Sequence, residues 1–371
     1  MNRQKLLVIE PLVGIGDLIW HKPWLDWLAG RFDLWLLAKP TCRAEVILHD
    51  TVRPDQILPL DRSLRGRKGR HDGCIGFMRL IADIRHIQAD RLLLLHHSGR
   101  YALAAALAGI PARAGYGFGM QRRFLNEGAF LPPALLKAHP THKLEHYAAR
   151  NHWPMPEPSW CLHLCPAALA QARSWLGPAK MPYRKPARKP ARKPDRKLQT
   201  GLQKDGAGSS GRCLLMGIGA MSEARRWPLH YFCELLCLLA RDRPDLQIIV
   251  TGGPEDKLAA EEIVSSLESW QKPRLLFDSL AVAIACQSLV DGYVGNDTSL
   301  LNIAAALGKP ALGFFSQSPP MSWSRHFYHT GQIAEDEFGQ PGIISKITPA
   351  AVLQRIDEIW PPAGGPEAAQ T

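Results

Sequence analysis

The sequence predicts an α/β protein built from two doubly wound domains, each around a parallel sheet. Three observations carry that expectation. Short apolar runs alternate with longer helical patterns, the alternation occurs twice, and a basic proline-rich stretch separates the two occurrences. Short buried strands alternating with helices imply a parallel sheet covered on both faces. With 371 residues, 46% of them hydrophobic, the chain is long enough for two cores and too apolar for disorder to be the default.

The elements follow in order. Residues 5–9 of the apolar run "KLLVIE" form a strand, an amphipathic helix starts at about Leu18, and residues 34–38 form the next strand. A helix near 74–89, a strand at 91–95 and a helix at 101–108 complete the first series. The second series opens with the strand "CLLMGIG" (213–219) and a leucine-rich helix, then "LQIIVTGG" (246–253) and a helix near 257–267. A helix near 282–287 leads to "GYVGND" (292–297), the helix "LLNIAAALG" and the strand "PALGFF" (310–315). The expected organisation is a first domain over 1–177, a linker over 178–212, a second domain over 213–348, and a closing helix with a loose tail over 349–371.

The formal net charge of +11 suggests nucleic acid until it is located. Between positions 178 and 212, eleven Lys and Arg face two acids, so this segment holds +9 and all other residues together +2. Its repeat "RKPARKPARKPDRK" (184–197) places a proline every fourth residue among like charges, which favours an extended chain over a helix. Nucleic acid is not an expected partner, whereas an anionic membrane surface could meet this repeat. No uncharged apolar run reaches the roughly 18 residues of a membrane span. Glu10 interrupts the first apolar stretch and no cleavage site follows, so no signal peptide is expected. The eight cysteines include no CxxC pair. Cys161/Cys165 and Cys233/Cys237 have helix-face spacing, which reads as small thiols packed in a reducing compartment rather than a zinc site.

The turn "VGIGDLIW" (13–20) lies where a dinucleotide-binding protein carries its glycine fingerprint. Ile19 is too large for the third small residue, and Asp33 begins the second strand instead of ending it. Asp17 would place a carboxylate where a diphosphate should meet the helix start. It reads either as a helix cap or as a general base; the residues alone leave both open. The phosphate cradle is expected in the second domain. There "VGNDTSLLNIAAALGKP" (294–310) crowds Asn296, Asp297, Thr298 and Ser299 into a turn before a helix. "EARRWPLHYF" sets Arg225 and Arg226 before a Trp-Pro helix start, and arginine forks suit phosphate oxygens. "TGGPED" offers Glu255 and Asp256 to ribose hydroxyls or to capping.

Taken together, "LLVIEPLVGIGDLIWHKPWLDWL", "HHSGRYALAAALAGIPARAGYG", "ARRWPLHYFCELL", "IIVTGGPED" and "VGNDTSLLNIAAALGKPALGFF" resemble glycosyltransferase family 9, the ADP-heptose:lipopolysaccharide heptosyltransferases. The resemblance implies a GT-B fold, two Rossmann-like domains facing across a cleft, the first binding acceptor and the second a sugar nucleotide. It implies that Asp17 is the catalytic base and that Arg225 meets the diphosphate. Asn296, Asp297 and Thr298 would contact the nucleotide phosphates. Beside what the resemblance implies, the residue reading adds Ser299, Arg226 and Glu255 as candidates for the donor site. The reaction implied is an inverting transfer of heptose or a related sugar from an ADP-sugar to a lipopolysaccharide-core or similar glycolipid. It needs no metal and no cofactor beyond the donor, and it would take place in the cytoplasm at the inner face of the bacterial inner membrane.

The sequence departs from the family's pattern in places. Ser299 stands at a usual glycine, Asn302 at a usual histidine, and Ser316 and Ser318 at a usual glycine and threonine. These departures motivate an alternative, a member that binds nucleotide or glycan without turnover; an oxidoreductase is a further one. His21, Lys22, His96, His97, Arg100 and His142 are candidates for the acceptor side.

Overall fold

The computed structural model describes residues 3–63, 66–154, 162–177, 212–320 and 323–362. The repeat at 184–197, Cys161 and the end of the tail lie outside the described residues. The chain divides into two compact units, Met1–His163 and Leu164–Thr371.

The first unit contains β1 (Lys5–Glu10), α1 (Ile15–Ala29), β2 (Asp33–Ala38), the short α2 (Ala44–Ile47), β3 (Ile57–Pro59) and α3 (Gly73–Ile87). It continues through β4 (Arg91–Leu94), α4 (Gly99–Leu107), β5 (Ala112–Gly115) and α5 (Pro140–Arg150). Its sheet order is β3-β2-β1-β4-β5, with every pairing parallel. β1 is central, and Leu6, Leu7, Val8 and Ile9 are all buried because helices cover both faces. One face packs Leu7, Ile9, Leu92 and Leu94 against Leu80 and Ile84 of α3 and Ala104 and Ala105 of α4. The small side chains of α4 allow that helix to lie close to the sheet.

The second unit comprises α6 (Pro166–Leu176), β6 (Arg212–Gly217), α7 (Leu229–Asp242), β7 (Leu246–Thr251), α8 (Lys257–Ser265) and β8 (Arg274–Leu276). Next come α9 (Leu280–Leu289), β9 (Gly292–Asn296), α10 (Ser299–Ala306), β10 (Ala311–Phe314), β11 (Phe327–Tyr328) and α11 (Pro349–Ile359). The order β11-β10-β9-β6-β7-β8 is again wholly parallel. Alternate residues of each strand feed opposite faces, as the period of two requires. Leu214, Met216, Val250, Val294 and Leu312 join Phe232, Leu235 and Leu239 of α7 and Val352 and Ile356 of α11. Leu215, Ile249 and Tyr293 join Val282 and Ala285 of α9 and Leu301 and Ala304 of α10.

Two expected boundaries change. α6 belongs with the second unit, not with a first domain ending at 177: its Ala168 and Ala172 share a core with α9, and Arg274 lies 3.9 Å over the Trp175 ring. α11 likewise packs into the second unit's core. β3, β5, β8 and β11, of two to four residues, were not visible as apolar runs in the sequence. Cys165 is the N-cap of α6 instead of a helix-face partner, while Cys233 and Cys237 are half-buried on α7.

Candidate active site

Both sheets reverse their winding beside the central strand, between β1 and β4 in one unit and between β6 and β9 in the other. Loops leaving the carboxyl ends of strands at such a junction diverge to opposite faces and leave room for a ligand. The sequence-expected residues fall at these junctions: Asp17 after β1, Arg225 and Arg226 after β6, and the 296–299 turn after β9.

In the first unit Gly14 is the N-cap of α1 and Asp17 its third residue. The Gly14 N–H donates to Asp17 Oδ2 at 2.8 Å, so the carboxylate folds back over the helix start. A Cβ at Gly14 would lie 3.0 Å from that oxygen, so a side chain there would press on the carboxylate. Asp17 is half-buried and caps the helix start through this bond.

Beneath it lies a pair that the sequence reading missed. Glu10, at the end of β1, meets His21 Nδ1 through Oε2 at 2.6 Å, with both side chains at most 1% exposed. Burial raises the Glu10 pKa; Glu10, followed by Asp17, raises that of His21 against its own desolvation. A charged residue closing an otherwise apolar strand, and a histidine four residues after Asp17, were the available signals. His21 is therefore a core residue and not a surface that an acceptor meets. So is Lys22, whose ammonium is buried and donates to Asp26 at 2.9 Å, Asp50 at 3.2 Å and Thr51 at 3.0 Å. Arg100 is pinned to the carbonyls of His71 and Gly73, each at 3.0 Å.

His96 and His97, which follow β4, stack with ring centroids 4.2 Å apart. Burial, then His97, Lys143, Lys39 and Arg62, push the His96 pKa down to about 4. Ser98 N–H donates to its Nδ1 at 3.1 Å, consistent with a neutral ring. His142 is exposed on α5.

In the second unit, the close approach of β6 and β9 needs glycine. Gly295 has φ +149°, and a Cβ there would lie 2.2 Å from the Gly217 carbonyl oxygen. β9 then delivers Asn296, which is fully buried. Its Nδ2 donates to the Ile218 carbonyl at 2.8 Å and the Gly219 carbonyl at 3.1 Å, while its Oδ1 accepts from Trp227 N–H at 3.0 Å. Asn296 thus ties the loop after β6 to the arginine turn from below, out of a ligand's reach. Ser316 adds another tie, its buried hydroxyl donating to the Ala224 carbonyl at 2.7 Å.

The two arginines separate. Arg226 donates to Asp256 Oδ1 at 2.9 Å and to the Ala220 carbonyl at 3.1 Å, and Asp256 Oδ2 accepts from Gly253 N–H at 2.9 Å. Arg225 is 41% exposed and lies 3.7 Å from Asp297 Oδ2, beyond hydrogen-bond length. Burial raises the Asp297 pKa and Arg225 opposes it. Thr298 is the N-cap of α10, Ser299 its first residue, and Asn302 Nδ2 donates to the Thr298 carbonyl at 3.1 Å. Glu255 is exposed, whereas its neighbour Asp256 is buried and holds Arg226.

These parts sit on a known fold. Over 155 residues the chain is 26% identical to lipopolysaccharide heptosyltransferase 2 of Salmonella typhimurium, an alignment covering 37% of this chain and 43% of that protein. The chain therefore matches less than half the length of this curated relative. The E. coli ADP-heptose LPS heptosyltransferase II structure superposes with a TM-score of 0.67 at 21% identity, covering 96% of this chain and 98% of that one. An E. coli heptosyltransferase solved with ADP-2-deoxy-2-fluoro heptose gives 0.64 at 15%, covering 96% and 99%. The shared architecture is GT-B. A profile of glycosyltransferase family 9 (heptosyltransferase) matches residues 77–334, well over half of the chain, and the chain belongs to that family.

Proposed function

We propose that this protein transfers heptose, or a related sugar, from an ADP-sugar to a lipopolysaccharide-core or similar glycolipid, with inversion and without a catalytic metal. The observation that carries the reading is the placement of Asp17 and Arg225 at the winding reversals of their two sheets, in a member of this family. The ADP-sugar analogue bound by the E. coli heptosyltransferase supports the donor class.

In this reading Asp17 takes the proton of an acceptor hydroxyl as its oxygen bonds to the anomeric carbon. The bond from that carbon to the diphosphate oxygen breaks, and ADP leaves with the electron pair. General-base catalysis of this kind contributes about 10²–10⁴-fold. Arg225 and the free amides at the start of α10 stabilise the charge on the leaving diphosphate. Arg225 suits that task because its contact to Asp297 is loose; Arg226 is committed to Asp256 and acts as a support. Asn296 supports the turn from below, and Thr298 and Ser299 face the phosphates with amides and hydroxyls. The work takes place at the inner face of the inner membrane, where the lipid-linked acceptor is made.

The test is ADP release from ADP-heptose with and without a heptose-deficient lipopolysaccharide acceptor. Asp17→Ala should lower acceptor-dependent release by about 10²-fold or more while ADP binding persists. Wild type that binds ADP and releases none with any sugar nucleotide would instead favour the binding-only reading that Ser299 and Asn302 motivate.

A further inference from the structure

Tyr293, the second residue of β9, has its ring in the core and its hydroxyl at the turn before α10. The ring packs with Leu215 and Ile249 of the sheet and Leu301 of α10, and the side chain is fully buried. Gly217 on the neighbouring strand β6 leaves room for the phenol: a Cβ there would lie 2.2 Å from the Tyr293 hydroxyl oxygen. The hydroxyl donates to the Asn296 carbonyl at 3.0 Å and meets Thr298 Oγ1 at 3.4 Å. Burial raises the Tyr293 pKa, so the phenol keeps its proton. That proton is given to the Asn296 carbonyl, and the longer contact therefore takes its proton from Thr298.

This contact bears on how α10 begins. Thr298 is the N-cap of that helix and has the extended backbone of one, φ −138° and ψ −176°. A threonine so placed ordinarily accepts a hydrogen bond from the second or third helix amide. Ser279 accepts from Val282 N–H at the start of α9, and Thr348 from Ala351 N–H at the start of α11. Thr298 makes no such bond among the described residues. Its hydroxyl is turned to the phenol, and α10 is left without a side-chain cap. At 3.4 Å the hold is weak enough to be exchanged for a better acceptor.

We propose that Tyr293 is a positioning residue for the donor diphosphate. It draws the Thr298 hydroxyl away from the helix, so that the first amides of α10 and this hydroxyl remain available to phosphate oxygens. A helix start serves an anion through amides that no side chain of its own has taken. Without the phenol, Thr298 would satisfy one of those amides itself and compete with the ligand. The inference deepens the proposed function and rests on it for the identity of the anion. A packing role alone would need the Tyr293 ring and not its hydroxyl.

The experiment compares the full chain with its Tyr293→Phe variant, which keeps the ring and removes the hydroxyl. Without nucleotide, amide hydrogen exchange at Leu300 or Leu301 should slow by about fivefold in the variant, the factor an N-cap bond is worth. Titration calorimetry should show ADP binding weakened by about the same factor. In a Thr298→Val background, where no hydroxyl can cap, Tyr293→Phe should change neither quantity. Unchanged or faster exchange at both amides in Tyr293→Phe would overturn the inference whatever ADP does, because removing a merely structural phenol loosens the turn. An equal effect of Tyr293→Phe in the Thr298→Val background would overturn it as well. Slowed exchange with unchanged ADP affinity would instead remove the diphosphate from this helix start, and with it the proposed donor site and the role of Tyr293 there.

Discussion

Arg225 and Arg226 are adjacent in sequence and differ in what they can do. Arg226 makes two hydrogen bonds and neutralises a carboxylate that is 5% exposed. Its removal leaves Asp256 charged and buried, and Arg226→Ala should lower stability by about 2–3 kcal/mol in a denaturant titration. Among the described residues the Arg225 side chain enters one ion pair, longer than a hydrogen bond and partly exposed, and such pairs contribute about 0–1 kcal/mol. Arg225→Ala should therefore leave the unfolding midpoint nearly unchanged and weaken ADP binding, measurable by titration calorimetry. Equal stability losses in the two variants would refute this division. The dipeptide was legible as a candidate for phosphate binding; which arginine is available depends on Asp256 and Asp297, which reach the turn only through folding.

The turn between β9 and α10 is tied to the loop after β6 and to the arginine turn by its own Asn296 side chain. Asn296 gives both amide hydrogens and one acceptor position to the β6 loop and to Trp227. Trp227 Nε1 donates in turn to the Ile347 carbonyl at 2.7 Å. Asn296→Ala leaves two carbonyls and one N–H without this partner in a buried site, at a cost of about 2–4 kcal/mol. Loss of ADP affinity should accompany it, since the arginine turn and α10 would no longer share an anchor. Four polar residues in succession marked this turn as a phosphate cradle in the sequence. That the first of them faces inward could not be read there, because a buried and an exposed asparagine before a helix look alike without the strand that covers them. The same holds for Lys22 and His21, which the sequence offered as acceptor contacts and the fold places in buried hydrogen-bonded pairs within the first unit.

At the scale of the whole molecule, the two units have separate cores, so calorimetry should resolve two transitions instead of one. ADP at about 100 times its Kd should stabilise the second unit by about 2.7 kcal/mol and leave the first in place. A single transition, or an ADP shift in the first unit, would contradict this. Acid should act on the first unit. His96 and His139 both fall from 6.5 to about 4, burial being the main cause for each. The unfolded chain takes up these protons first, so the stabilisation is fully present above pH 6.5 and is lost as pH falls toward about 4. The first transition should move down in temperature across that range, and His96→Asn should flatten the slope.

The sequence by itself determined the α/β class, the parallel sheets, the family and the positions of the turns that hold the candidate site residues. Those rest on local period, on glycine and proline placement, and on motif order, all properties of neighbours along the chain. Tertiary structure decided which residues those turns present. α6 joined the second unit because its alanines found a face on α9. Glu10, the residue that broke an apolar run, became the buried partner of His21 beside Asp17. Burial, ion pairing and pKa depend on groups distant in sequence, and only the folded chain brings those groups within reach.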